Sequence, residues 1–207
     1  MSARLDHITV ISPSLDIGAG FIYRTVGVRT ETGRTHPSMG THNRLLSLGA
    51  DTYLEVIAVD PSAPPPARPR WFGLDSLAIA AAPRLAAWVA STNDIAAISV
   101  PELGTVETMY RESVSWQMTL TADGTSPLLG AAPALIQRRP GVHPASRLQD
   151  VGCRLRRLVI QHPSPEKVRS LLARIKLKQL PKVEVHQGDA CTLVAEIDTP
   201  NGPRTVG

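Results

Sequence analysis

The feature that most restricts how this 207-residue chain folds is that it repeats itself. Residues 5–14, LDHITVISPS, lie over residues 155–164, LRRLVIQHPS, without a gap. Each copy runs from an apolar segment through a Pro-Ser break into a stretch with helical spacing. Residues 51–60, DTYLEVIAVD, lie in the same way over 189–198, DACTLVAEID, with an aspartate at both ends of each. Self-similarity of this kind sets architecture before individual elements do. It predicts a βα…ββ unit used at least twice, with a more divergent middle copy around residues 71–139.

Local patterns fill in the units. In the first segment a period of two puts His7 and Thr9 on one face and Ile8 and Val10 on the other, the pattern of a half-buried strand. Ser14 is placed to cap a helix that ends near Gly27. Residues 41–49 and 52–60 are strands at hairpin spacing, and Tyr53, Glu55 and Ile57 share one face of the second. The stretch PSAPPPARPR, residues 61–70, lacks amide donors and reads as an extended connector. Beyond it, residues 71–83 read as a strand. Residues 83–94 read as a helix with Pro83 in its first turn and Leu85, Trp88 and Val89 on one face. Strands follow at 114–124 and 133–139. Near the C-terminus Ser164, Pro165 and Glu166 open a helix carrying Val168, Leu171, Leu172 and Ile175 at helical spacing. The expected class is α+β: a first βαβββ module over 1–60, the connector 61–70, a second module over 71–150 and a further βαββ unit over 151–207, all in one compact domain.

Composition excludes several function classes. A hydrophobic content of 43% fits a globular protein, and a formal net charge of +4 is too mild to argue for nucleic acid. The basic segments around 153–159 and 174–182 read as solvated edges. Cys153 and Cys191 form no close-spaced metal or redox pair and suit a reducing, bacterial-type cytoplasm. No apolar run approaches a membrane span. A nucleophile elbow and a Gly-rich phosphate loop are both missing.

Under the repeat alignment His7 falls opposite Arg157 and Glu55 opposite Leu193. The unit therefore requires neither residue for packing, which makes both candidates for a site. His42 and Asn43 read either as an exposed strand start or as a pocket rim where a neutral donor grips a carbonyl or carboxylate. Trp71 and Phe72 read either as a core plug or as a ligand platform. His143 lies in a Pro-Gly loop, solvated or closing over the pocket. His36, His162 and His186 carry no functional claim.

LDHITV, then GTHNRLLSLGADTYLEVIAVDP and RWFGLD, and later PALIQRRPGVHPA, LRRLVIQHPSP and EIDTPNGPRTV, resemble in order and spacing the glyoxalase-like domain of the vicinal oxygen chelate superfamily. The resemblance covers nearly the whole chain. It implies paired curved mixed sheets enclosing a pocket, usually with a divalent metal held by a first-strand residue and a last-strand carboxylate from each of two modules. Carried over, the first module offers His7 and Glu55 as ligands for Zn, Fe, Ni or Mn, with Glu55 also the catalytic proton shuttle. In the middle copy the matching positions fall near Ser76 and Gln137, a poor ligand and a neutral one, so the second half-site departs from the pattern. Gln137 and Trp71 join His42 and Asn43 as candidate substrate contacts. The resemblance implies a small-molecule ligand, no nucleic acid or membrane partner, and a homodimer. It leaves two functions open: a metal-assisted lyase, isomerase or dioxygenase relative acting on an oxygen-rich metabolite, or a non-enzymatic binding module of the antibiotic-sequestering type.

Overall fold

The computed structural model describes residues 1–111, 114–138 and 143–207. Its main feature is an eight-stranded mixed sheet. In the first half, β1 (Arg4–Ile11) leads into helix α1 (Leu15–Val26), followed by β2 (Glu31–His36), β3 (Thr41–Ser47) and β4 (Tyr53–Val59). In the second, β5 (Arg84–Ser91) leads into the short helix α2 (Ile95–Ile98), followed by β6 (Thr105–Arg111), β7 (Val114–Leu120) and β8 (Ala134–Arg138). The strand order β2-β3-β4-β1-β5-β8-β7-β6 is symmetric about the β1/β5 junction. Strand β1 pairs parallel with β4, β5 pairs parallel with β8, and β1 and β5 pair antiparallel. These are two copies of one βαβββ module sharing a curled sheet.

The caps match as well. Ser14 Oγ accepts from the backbone of Ile17 at the start of α1, and Asp94 accepts from Ala97 at the start of α2. Gly27 closes α1 in a left-handed conformation, as the sequence predicts.

The second module corrects the sequence reading. Residues 84–91, expected as a helix, form strand β5, and residues 71–83, expected as a strand, form a short 3-10 segment (Trp71–Ser76) and irregular chain. The reason is burial on both faces. Leu85, Trp88 and Ala90 face one apolar cluster while Ala86, Ala87 and Val89 face another. A strand buried on both faces reads as a continuous apolar run, which periodicity cannot separate from a helix.

The C-terminal unit builds a second sheet from β9 (Arg154–His162), helix α3 (Pro165–Arg174), β10 (Lys182–Gln187), β11 (Thr192–Thr199) and β12 (Gly202–Val206), ordered β10-β9-β11-β12. Strand β11, whose sequence aligns with β4, runs antiparallel to β9, whereas β4 runs parallel to β1. The textual match of Glu55 to Leu193 is therefore not a topological one.

One core fills the space between α1, the back of the large sheet and the small sheet, with Trp88 fully buried in it beside Leu158, Ile160 and Ala195. Truncating an aromatic there to alanine costs about 3–5 kcal/mol. A second apolar cluster lies on the opposite, concave face of the large sheet. That face forms the cleft.

Candidate functional site

The cleft has a volume of about 1190 Å³. At its polar end a local irregularity in β1 organises the chemistry. Pairing with β5 slips between Leu5 and His7, so Asp6 is an extra residue in the strand. A bulge re-aims side chains and breaks strict alternation, and here Asp6 and His7 both reach the cleft.

Asp6 is fully buried and is the hub of the cluster. Its Oδ1 lies 2.7 Å from His7 Nδ1 and accepts from Arg138 at 2.9 Å, and its Oδ2 lies 3.0 Å from His143 Nε2 and also meets Arg138. Burial alone would raise its pKa. The hydrogen bonds from His143 and His7 and the Arg138 guanidinium more than offset burial and hold the carboxyl well below the usual range. Arg138 also donates to Tyr53 Oη at 3.2 Å. Burial, reinforced by Asp6, keeps Tyr53 in the phenol form, its pKa pushed well above 10. The Tyr53 ring stacks on His7 with centroids 4.5 Å apart and planes 12° from parallel.

With Nδ1 occupied by Asp6, the other edge of His7 faces the cleft, its Nε2 3.7 Å from Glu55 Oε2. Glu55 is held from two strands: Asn43 Nδ2 on β3 donates to Oε1 at 2.6 Å, and Thr9 Oγ1 on β1 donates to Oε2 at 3.3 Å. Asn43 is fixed in turn, because its Oδ1 accepts from the Arg34 backbone at 2.7 Å. Gly33 makes this possible. A Cβ there would sit 1.9 Å from Asn43 Oδ1.

His7, Asn43, Glu55 and Trp71 thus line one cleft, while His42 and Gln137 do not. The alternation of β3 that brings Asn43 in turns His42 away. Gln137, between the inward-facing Ile136 and Arg138, puts its Oε1 2.7 Å from the backbone nitrogen of Ile95 at the start of α2. Trp71 is 5% exposed, stacked on Phe72 and edge-on to His36. The aromatic pair belongs to the second apolar cluster, as the core-plug reading expects, and also lines the cleft. Phe72 has φ 60°, a left-handed backbone that a bulky residue rarely adopts.

The residues missed from sequence are Asp6, Tyr53 and Arg138, together with His36, which lines the cleft. Asp6 could have been found only by foreseeing the bulge. Arg138 sits on the last strand of the second module, beside the position assigned to Gln137.

The symmetric register also replaces the expected second half-site. Thr9 pairs with Ala87 and His7 with Val89, which makes Ala87 the counterpart of His7 and Ala86 that of Asp6. Glu55 pairs with Thr9 and Ala134 with Val89, so Ala134 is the counterpart of Glu55. Ser76 and Gln137 are not the matching positions. The second module offers no donor at either one. Among the described residues no three His, Cys, Asp or Glu side chains are grouped to hold an ion, and Glu55 already accepts from Asn43 and Thr9, so the described donor set does not fit a tightly held divalent ion, which takes three or four strong protein ligands.

Among the described residues, no helix is long and apolar enough to cross a membrane. Comparison with known proteins places this architecture. The structure of a hypothetical protein from Staphylococcus aureus superposes with a TM-score of 0.59 at 13% identity, over 93% of this chain and 88% of that one. A Streptomyces coelicolor methylmalonyl-CoA epimerase with 2-nitronate-propionyl-CoA overlaps with a TM-score of 0.44 at 14% identity, over 67% and 99% of the two chains. The Mycobacterium tuberculosis methylmalonyl-CoA epimerase overlaps at 0.41 and 15%, over 66% and 88%. Curated proteins give no match. The model of a glyoxalase-like domain matches residues 5–175. With that match, two βαβββ modules in one curled sheet and a cleft on its concave face, the chain belongs to the glyoxalase-like domain family of the vicinal oxygen chelate superfamily.

Proposed function

We propose that the protein binds a small oxygen-bearing organic molecule in the cleft and moves a proton on it, with His7 as the base. The observation that carries this reading is the 2.7 Å contact between His7 Nδ1 and an Asp6 carboxyl that stays ionised. An anionic acceptor at Nδ1 selects the tautomer with its proton there and leaves the Nε2 lone pair facing the cleft. Once Nε2 takes a proton, the imidazolium lies between two carboxylates, Asp6 and Glu55, which stabilise the charge formed. Asn43 and Thr9 keep Glu55 in place. Asn43, which commits one donor to Glu55, and Trp71 line the volume where the substrate sits. No step is assigned to a metal, because the described donor set does not fit one.

The test is solvent deuterium exchange at the carbon next to a carbonyl. A panel of 2-oxo acids is incubated with the protein in heavy water and followed by proton NMR. Wild type is expected to exchange at least one of them, and His7→Gln to lower the rate about 10²–10⁴-fold, the usual contribution of a positioned base. Exchange that survives in His7→Gln overturns the assignment of the base. Ligand binding without exchange in wild type supports the sequestering function instead.

A further inference from the structure

The cleft is larger than its polar cluster requires. Small-molecule sites run from about 300 to 1,000 Å³, and this one is about 1190 Å³. Asp6, His7, Asn43, Glu55, Arg138 and His143 form one linked polar cluster, while Arg111 and Ser115 line the cleft apart from it. From that cluster the wall continues along β7 and β8 through Trp116, Met118 and Ile136, on the module whose counterparts of Asp6, His7 and Glu55 are alanines. Trp116 is only partly buried, and the Arg111 guanidinium lies over its ring, 5.6 Å from the centroid.

Charge is as uneven as polarity. Among the described residues, the lining carries six Arg and Lys side chains against three carboxylates, in a chain whose whole net charge is +4. The carboxylates are engaged internally: Asp6 by Arg138 and two histidines, Glu55 by Asn43 and Thr9, and Glu31 by the backbone of Gln149. Exposed Arg34, Arg147 and Lys178 at the rim therefore impose a positive potential on the mouth of the cleft.

We infer that the ligand is an elongated organic anion, with an oxygenated, carboxylate-bearing head at the His7 end under the basic rim and an apolar arm lying along Trp116, Met118 and Ile136. This deepens the proposed function and rests on it for the placement of the head. An arm of this kind buries apolar area in proportion to its length, while the rim favours the charged over the neutral form of the same molecule.

The test is calorimetric titration of the intact protein with straight-chain 2-oxo acids from three to ten carbons, and with the methyl ester of the longest as its neutral counterpart. Affinity is expected to rise roughly fourfold per methylene, as burial of a CH₂ group predicts, and the ester to bind at least about tenfold more weakly. Trp116→Ala should flatten the dependence on length, whereas Tyr110→Ala, an exposed β6 residue outside the cleft lining, should leave it unchanged. Arg34→Ala with Arg147→Ala should narrow the gap between acid and ester. Affinity independent of length, equal binding of acid and ester, or no binding at any length overturns the inference. Exchange lost in His7→Gln with flat binding across the series leaves the base standing and removes the arm. Length-dependent binding with exchange unchanged in His7→Gln does the reverse.

Discussion

The two halves of the large sheet share a topology and differ in chemistry. Strands β1 and β5 carry the same irregularity at the same place, at Asp6 in one and Ala86 in the other, and each leads into a capped helix. Yet the first half presents Asp6, His7 and Glu55 where the second presents Ala86, Ala87 and Ala134. The alanine half shows that this fold needs no polar group at any of the three positions. The first half therefore carries a desolvation cost that packing does not require, and it compensates with hydrogen bonds and a counterion. That counterion comes from the other half, because Arg138 at the end of β8 reaches across to Asp6. The modules are unequal in content and coupled in energy.

The largest effect should follow from breaking that coupling. Asp6→Ala leaves the half-buried Arg138 guanidinium without its carboxylate and His7 and His143 without an acceptor. Removing one partner of a buried ion pair destabilises by about 3–5 kcal/mol, readable by urea unfolding at neutral pH. The mirror change, Ala86→Ser at the equivalent bulge, should cost about 1 kcal/mol or less. Similar losses in the two variants would mean that the halves are not energetically distinct.

A second effect of similar scale centres on a histidine of the polar half. Burial, with Arg111, His7 and His42 adding to it and Glu55 opposing, lowers the pKa of His36 from 6.5 to about 4. The unfolded chain takes up that proton near pH 6.5 and the folded chain only near 4. Between these values the unfolded state binds more protons and stability rises with pH. The loss on acidification through that window should approach about 3 kcal/mol, at 1.36 kcal/mol per pKa unit, and it should be complete just below pH 4. His36→Phe, which keeps a ring against Trp71, should flatten the slope of urea-derived stability between pH 7 and 4. An unchanged slope would assign it to other groups. Asp6 acts at more acid pH: its depressed pKa stabilises the fold above the unfolded carboxyl range near 4, and that contribution disappears as pH falls through the lower folded value.

How much of this was legible in the sequence follows from what each position senses locally. Strands β1, β3 and β4 and helices α1 and α3 were, because each carries its own periodicity or caps. His7 and Glu55 were marked by an ionisable group in an apolar strand, and Asn43 by its place at a strand start. Strand β5 was not legible, since an alanine-rich run buried on both sides has no polar face to give a period. With β5 misread as a helix, the second half-site slid to Ser76 and Gln137. Asp6 stayed hidden for a different reason. Strict alternation assigns it to the back of the sheet, and only the slip in pairing with β5, a contact about 80 residues away in sequence, brings it forward. The match of residues 189–198 to 51–60 shows the converse failure, where similar text serves strands of opposite direction.

Gln137 gives the smallest and most discriminating test. A sequence-level carry-over makes it a ligand contact, whereas the fold makes it a helix partner, its Oε1 accepting from Ile95 N–H in place of the missing turn. If the second reading holds, Gln137→Ala removes one acceptor at a helix start and costs about 1 kcal/mol, a fall of a few degrees in thermal midpoint for a domain of this size. Binding of a long-chain 2-oxo acid should stay within about twofold of wild type, because the side chain points away from the cleft. Asn43→Ala, the same kind of truncation on the other half, releases Glu55 and should weaken the proton-transfer reaction by more than it weakens the fold. A Gln137→Ala variant that loses binding while keeping its stability would restore a polar contact to the second half and end the asymmetry on which the site assignment rests.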